Sequence, residues 1–230
     1  MTNQNVVEQD KDISRLLATR YSCRAYEERE VPRRLQEEIF TEAQKAASWC
    51  NSQPWQVTVV SGNKIKELGN LLFAAAERGE PSEPDLPFPA AYEGVYLARR
   101  RECGFGLYEA VGIQRGDRAA SARQMLQNFR MFGAPHVAIL TTDAQLGVYG
   151  AVDVGGYLQT LMLVMQSRGL SCIPQAALAN YSALVKSFLG IPAERKMVCG
   201  LSFGYGVEQE PVNQFRTSRA TLDEVVAWQD

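Results

Sequence analysis

Histidine is nearly missing from this 230-residue chain, His136 being the single copy. Ser-His-Asp or Cys-His catalysis, and any imidazole-ligated metal centre, would have to run through that one ring. It stands in the apolar run Pro135-His136-Val137-Ala138-Ile139-Leu140, with neither nucleophile nor ligand spacing around it, and so reads as a structural residue at a strand end. Net charge is lacking too. Lys plus Arg number 24 against 26 Asp plus Glu, a balance of -2, so no overall field draws in nucleic acid or an anionic membrane. An anion site must be a local cluster. The five cysteines (Cys23, Cys50, Cys103, Cys172, Cys199) contain no C-x-x-C pair; they suit neither a disulfide framework nor zinc, and a cytoplasmic location is expected. No apolar run approaches the roughly 20 residues of a membrane span, and Met1 to Asp12 offers no signal-peptide core. Nor does any G-x-G-x-x-G follow a strand, which removes a Rossmann site for a dinucleotide.

What remains is long enough to bury a core of its own. Helical periodicity predicts helices at Asp12 to Thr19, Pro32 to Ser48, Asn63 to Arg78, Tyr92 to Gly112, Arg115 to Met131, Tyr149 to Arg168 and Tyr181 to Leu189. In the longest of these, Val152, Leu158, Leu161, Met162, Val164 and Met165 should face inward, while Gly155-Gly156 permit a neighbour's close approach. Strands are expected at Gln56 to Ser61, His136 to Thr142, Leu170 to Ile173 and Val198 to Tyr205. Prolines 81, 84, 87 and 89 make residues 79–91 a surface excursion. Residues 206–230 form a polar arm ending in Val225, Val226 and Trp228, suited to lie on a second subunit. Helices and strands are interspersed without a βαβ rhythm, so the fold class is α+β, read as one domain over 1–230.

Two segments carry chemistry. Arg20-Tyr21-Ser22-Cys23-Arg24 puts two guanidinium groups and a hydroxyl on alternate residues, which in extended chain point the same way and could clamp a phosphate. A solvated charged turn explains the pentapeptide equally well. In Ser48-Trp49-Cys50-Asn51-Ser52-Gln53-Pro54-Trp55, small polar groups between two indoles suit a planar heteroaromatic ligand; taken alone, a turn with a core tryptophan is the simpler account.

Together, Arg20-Tyr21-Ser22-Cys23-Arg24 and, about two dozen residues on, Ser48-x-x-Asn51-x-Gln53-Pro54-Trp55 closely resemble the opening of FMN-dependent nitroreductases. Gly112 to Arg118, Phe132-Gly133-Ala134-Pro135, Gly169 to Gln175, Leu189-Gly190-Ile191-Pro192 and Gly204-Tyr205 follow in that family's order. The likeness implies a central, mostly antiparallel sheet surrounded by helices in an intertwined homodimer. It implies FMN, with NADH or NADPH as electron donor, in a ping-pong hydride transfer to a nitroaromatic acceptor. By resemblance, Arg20, Tyr21, Ser22 and Arg24 hold the phosphate and ribityl chain, joined by Arg219 from the tail. Ser48, Trp49, Cys50, Asn51 and Gln53 reach the flavin from the partner subunit, Gln127 meets its pyrimidine edge, and the backbone of Pro174, Gln175, Ala176 and Ala177 lines the ring. No metal is implied. Three positions depart from common family choices: Ala47 in place of proline, Ala176 in place of a glutamate, and Thr217 in place of a basic residue. The alternatives are the same flavin serving another acceptor (enone reduction, reductive dehalogenation or flavin breakdown), a non-catalytic flavin binder, or a purely structural dimer.

Overall fold

Val137 to Leu140 run without a polar break, and such a run fits a strand covered on both faces. In the computed structural model, which describes residues 13–229, they become the middle of β2 (His136–Asp143), buried along nearly its whole length. With β1 (Gln56–Ser61), β3 (Ser171–Gln175) and β4 (Arg195–Gly204), β2 forms a sheet of order β1-β2-β4-β3. Each neighbouring pair is antiparallel.

Alternate side chains leave β2 in opposite directions. Ala138 and Leu140 enter one apolar cluster, which is filled from helix α2 (Arg33–Ala43) by Ile39 and Ala43 and from the central helix (Gly147–Ser167) by Val154, Tyr157, Leu161 and Met165. Val137 and Ile139 enter the other, with Leu68 and Leu72 of α3 (Gly62–Glu77) and Val185 of the helix Ser182–Leu189. In chain order the remaining helices are α1 (residues 13–19), α4 (Gly94–Ala110) and α5 (Arg118–Leu126), followed by α6 and α7, the two just named, and α8 (Pro211–Gln214). Each aliphatic side chain taken fully out of water contributes about 1.5–3 kcal/mol, so the two clusters fix the sheet between its helices.

Several boundaries differ from expectation. Helix α2 ends at Ala43, not Ser48, because the chain tightens into turns (Lys45 N–H to Glu42 O, Ala46 N–H to Ala43 O) while Gln44 accepts the Trp55 indole N–H at 3.0 Å. Helix α5 stops at Leu126, five residues short of Met131, where a 3-10 stretch leads to Met131 and Phe132 in left-handed conformation. Val152 does not face inward; it stands 61% exposed, and the inward positions are Val154 and Tyr157. Among the described residues, nothing beyond the helix's own backbone lies within 4 Å of a Cβ added at Gly155 or Gly156. The expectation of no span-length apolar run also needs amending: Ala144–Ser167 is long and apolar enough to pass that test on composition, at mean hydropathy 1.2. Its buried face is the core packing just described, and it carries Asp153. The predicted helix start at Asp12 lies outside the described residues.

His136 is structural. Its ring is 1% exposed and stacked on Phe203 at 5.0 Å, Nε2 accepts the Val31 N–H at 2.9 Å, and Nδ1 meets Ser61 Oγ at 2.6 Å. Since Nε2 accepts, the proton sits on Nδ1 and the imidazole is neutral. Burial holds its pKa below the usual value. The unfolded chain then binds a proton near pH 6.5 that the folded chain refuses, so this stabilisation is complete above about pH 7 and shrinks as pH falls below 6.5. Thermal melts of wild type and His136→Gln should therefore differ most at pH 7 and converge toward pH 5; a pH-independent gap would refute the assignment.

Candidate active site

After α1 the chain runs extended beside the sheet. Ser22 pairs with Cys172 as a parallel bridge, the Cys23 N–H donates to Cys172 O at 3.1 Å, and Tyr26 bridges Gly206. Cys23 is fully buried, so Ser22 and Arg24 are turned to the other side. Burial raises the thiol pKa of Cys23 and pushes that of Cys172 up to about 12; neither is poised as a thiolate.

Arg24 is half-buried, and desolvation lowers its pKa. Among the described residues no carboxylate pairs with it. Its Nη1 donates to Ser22 O at 3.1 Å and its Cζ lies 5.8 Å from the Phe132 ring centroid. A partly desolvated cation left this way carries a cost that an anion or an electron-rich acceptor would offset. The groove it lines, about 510 Å3, is also lined by Gln127, Phe132, Gly112 and Glu210, so Arg24 and Gln127, far apart in sequence, share one cavity. The backbone of Arg24 is fixed from the tail: Asn213, 1% exposed, accepts the Arg24 N–H at 2.7 Å and donates to Ala25 O and Val207 O, both at 2.8 Å.

The tail also brings Arg216, whose Cζ lies 4.2 Å from the Tyr21 ring centroid. Arg219 donates to Thr217 Oγ1 at 2.7 Å and to Ser218 O at 2.7 Å, turned onto its own loop. Both line a groove of about 750 Å3 against α4, but it is Arg216 that reaches the Arg20–Arg24 segment. Among the described residues the Arg20 guanidinium has no ion pair.

Pro174, Gln175, Ala176 and Ala177 lie at the far end of β3 from Ser171, whose hydroxyl is 3.5 Å from the Tyr21 hydroxyl. Four strand steps separate the ends by roughly 13 Å. The Gln175 side chain is 2% exposed and committed to structure, donating to Asn128 O at 2.9 Å and accepting from Ser202 Oγ at 2.5 Å. Pro174 and Gln175 pair with Leu201 and Gly200 of β4, which leaves Ala176, exposed, and Ala177, half-buried, beyond the end of the strand.

Ser48 to Gln53 form a separate, exposed loop. Cys50, Asn51 and Gln53 have φ of 51, 55 and 45°, three left-handed residues without glycine's freedom, at a cost of about 1–2 kcal/mol each. Such strain persists only when surroundings over-determine it. Ser48 Oγ accepts the Gln53 N–H at 3.0 Å, Asp153 of α6 accepts the Trp49 N–H at 3.2 Å on both oxygens, and Trp49 packs edge-on against Tyr149 at 4.6 Å. No hydrogen bond or ring contact among the described residues joins this loop to Arg20–Arg24. Asp153→Ala should speed hydrogen exchange at the Trp49 amide by about tenfold, as expected for losing a charge-assisted bond at a partly exposed site, with Asp153→Asn intermediate. An unchanged rate would show that the loop holds itself.

Sequence reasoning missed Asp153, Asn213 and Phe132. Only Asp153 left a signal, as the one charged residue of α6. No cluster suited to a metal occurs among the described residues.

The chain is similar to known proteins over most of its length. The model of the Nitroreductase family matches residues 17–205. The 4-nitrobenzoate reductase of Pseudomonas putida is 37% identical over 209 residues, covering 90% of this chain and 91% of that one. Nitroreductase NfnB of Mycolicibacterium smegmatis is 37% identical over 211 residues, covering 91% and 89%. The crystal structure of the FMN-dependent nitroreductase NfnB from Mycobacterium smegmatis in complex with NADPH superposes with a TM-score of 0.92 at 35% identity, over 96% of this chain and all of that one. With its sheet, its arginine-bearing segment and the greater part of its length matched, the chain belongs to the nitroreductase family.

Proposed function

We propose that the protein is a cytoplasmic FMN-dependent NAD(P)H oxidoreductase that reduces nitroaromatic compounds, working as a homodimer. The observation that carries this reading is Arg24, a partly desolvated guanidinium with no carboxylate partner among the described residues, sharing a groove with Gln127. That donor set fits FMN: guanidinium groups for its anionic and ribityl portions, an amide for the pyrimidine edge, and the backbone of Ala176 and Ala177, past the end of β3, for the ring. Bound there, FMN would supply hydride acceptance from NAD(P)H and delivery to the acceptor. Arg20, Ser22 and Arg24 bind and orient it, and Arg216 is better placed than Arg219 to complete the anion site. The Gln127 amide donates or accepts at the ring edge.

The dimer reading rests on exposed apolar surface. Val148, Tyr149 and Val152 are 70, 57 and 61% exposed along one side of α6, next to the bare Gly155-Gly156 surface and the Trp49 loop. The arm's Leu222, Val225 and Trp228 are likewise exposed, as are Ile13 and Leu17. Burying these against a second copy would bring Ser48, Trp49, Cys50, Asn51 and Gln53 to a neighbouring flavin. The cysteines are unpaired among the described residues, in keeping with a reducing compartment. The single domain over 1–230, with its excursion at 79–91, belongs to the same reading.

Purified protein should be yellow, bleach under anaerobic NADH or NADPH, and then consume 4-nitrobenzoate stoichiometrically. A colourless protein indifferent to added FMN would overturn the proposal; a yellow one that bleaches but spares every nitroaromatic would move it to another acceptor.

A further inference from the structure

The turn between α5 and β2 is built against the preference of its residues. Met131 and Phe132 adopt φ of 51 and 52°, followed by Gly133 at 77°, a left-handed run in which two members pay the steric cost of a Cβ. Packing holds it. Met131 is 1% exposed, and its terminal carbon lies 3.7 Å from where a Cβ on Gly69 of α3 would sit. Left-handed backbone at this point reverses the chain after the 3-10 stretch that follows α5 and sets Phe132, 9% exposed, into the groove lined by Arg24 and Gln127. There its ring meets the Arg24 guanidinium, 5.8 Å from Cζ to centroid. The guanidinium has one other restraint among the described residues, the carbonyl of Ser22. An aromatic ring can restrain a guanidinium without neutralising it or occupying its donors, as a carboxylate would.

We infer that Phe132 is a positioning residue for Arg24, held by the strained turn so that the guanidinium is oriented for the cofactor while its remaining N–H groups stay free. The inference rests on the reading of Arg24 as a cofactor contact. Its own content is that Phe132 acts through Arg24, and not through the fold.

The test is a double-mutant cycle on the full-length chain stripped of FMN, with FMN affinity read from quenching of FMN fluorescence on titration. Phe132→Leu should weaken FMN about tenfold, and Phe132→Trp, which keeps an aromatic face, should stay within about threefold of wild type. In an Arg24→Met background, Phe132→Leu should change affinity by less than about twofold, because coupled residues are not additive. Thermal melts of each variant show whether it is folded, and Phe132→Trp in both backgrounds keeps the cycle usable if leucine loosens the turn. Equal weakening by Phe132→Leu in both backgrounds would overturn the inference by showing a purely structural role. So would an unchanged affinity in Phe132→Leu while Arg24→Met weakens binding. If Arg24→Met itself leaves FMN affinity intact, the inference falls together with the reading of Arg24 on which it rests.

Discussion

Replacing Arg24 with methionine should raise the melting temperature of the FMN-free protein while FMN affinity falls by a hundredfold or more. The opposite signs come from one fact: this guanidinium is partly desolvated, keeps a single carbonyl partner and an aromatic neighbour, and makes no ion pair among the described residues. Removing one partner of a buried charged contact with a ligand costs about 2–5 kcal/mol of binding, and a hundredfold lies within that range. Without ligand, an apolar chain of similar length avoids the desolvation, for a gain on the order of 1 kcal/mol. That gain corresponds to roughly 2–4 °C in a domain of this size. Differential scanning calorimetry and flavin titration on the same preparations decide it. A lowered melting temperature with binding intact would mark Arg24 as a structural cation.

Asp85→Ala should destabilise the protein by about 3–5 kcal/mol. The proline-rich stretch before α4 reads in sequence as a surface excursion, and it is tied to the fold by Ser82 and Glu83 at Asn180 and, most deeply, by Asp85. Its side chain is 11% exposed, pairs with Lys186 Nζ at 2.8 Å, and accepts the Met197 N–H at 2.9 Å. The Lys186 side chain is 13% exposed, so truncating the aspartate leaves a mostly buried ammonium with the Arg195 carbonyl at 3.3 Å in place of a counter-charge, and strands an N–H of β4. In urea melts, Asp85→Ala/Lys186→Met should recover about half of the loss. If the single variant costs under about 1 kcal/mol, the pair is solvent-screened and the loop is held by other contacts.

These residues also show where the sequence is readable. β1 and β2 emerge from local chemistry, since Val57 to Val60 and Val137 to Leu140 are β-branched or aliphatic and bounded by turn formers. The Arg20–Arg24 and Ser48–Gln53 segments stand out through residue type and order. Helix ends were harder: Gln127 to Arg130 have ordinary helical composition, and only packing on α3 forces the reversal at Met131 and Phe132. Partnerships across long separations leave no local trace. Asp153 is 104 residues from Trp49 and Asn213 is 189 from Arg24, and Arg216 and Arg219 differ only in which one the folded tail turns toward Tyr21. Val152 was assigned inward because its periodicity is that of a buried face; on the isolated chain that face is open.

The bond between Asn213 and the backbone of Arg24 carries a temporal consequence. At roughly 5–20 residues per second, a ribosome needs about 10–40 s to make the 189 residues between them. Throughout that interval the backbone of Arg24 lacks its Asn213 partner, so this segment takes its final form only after the tail has been made.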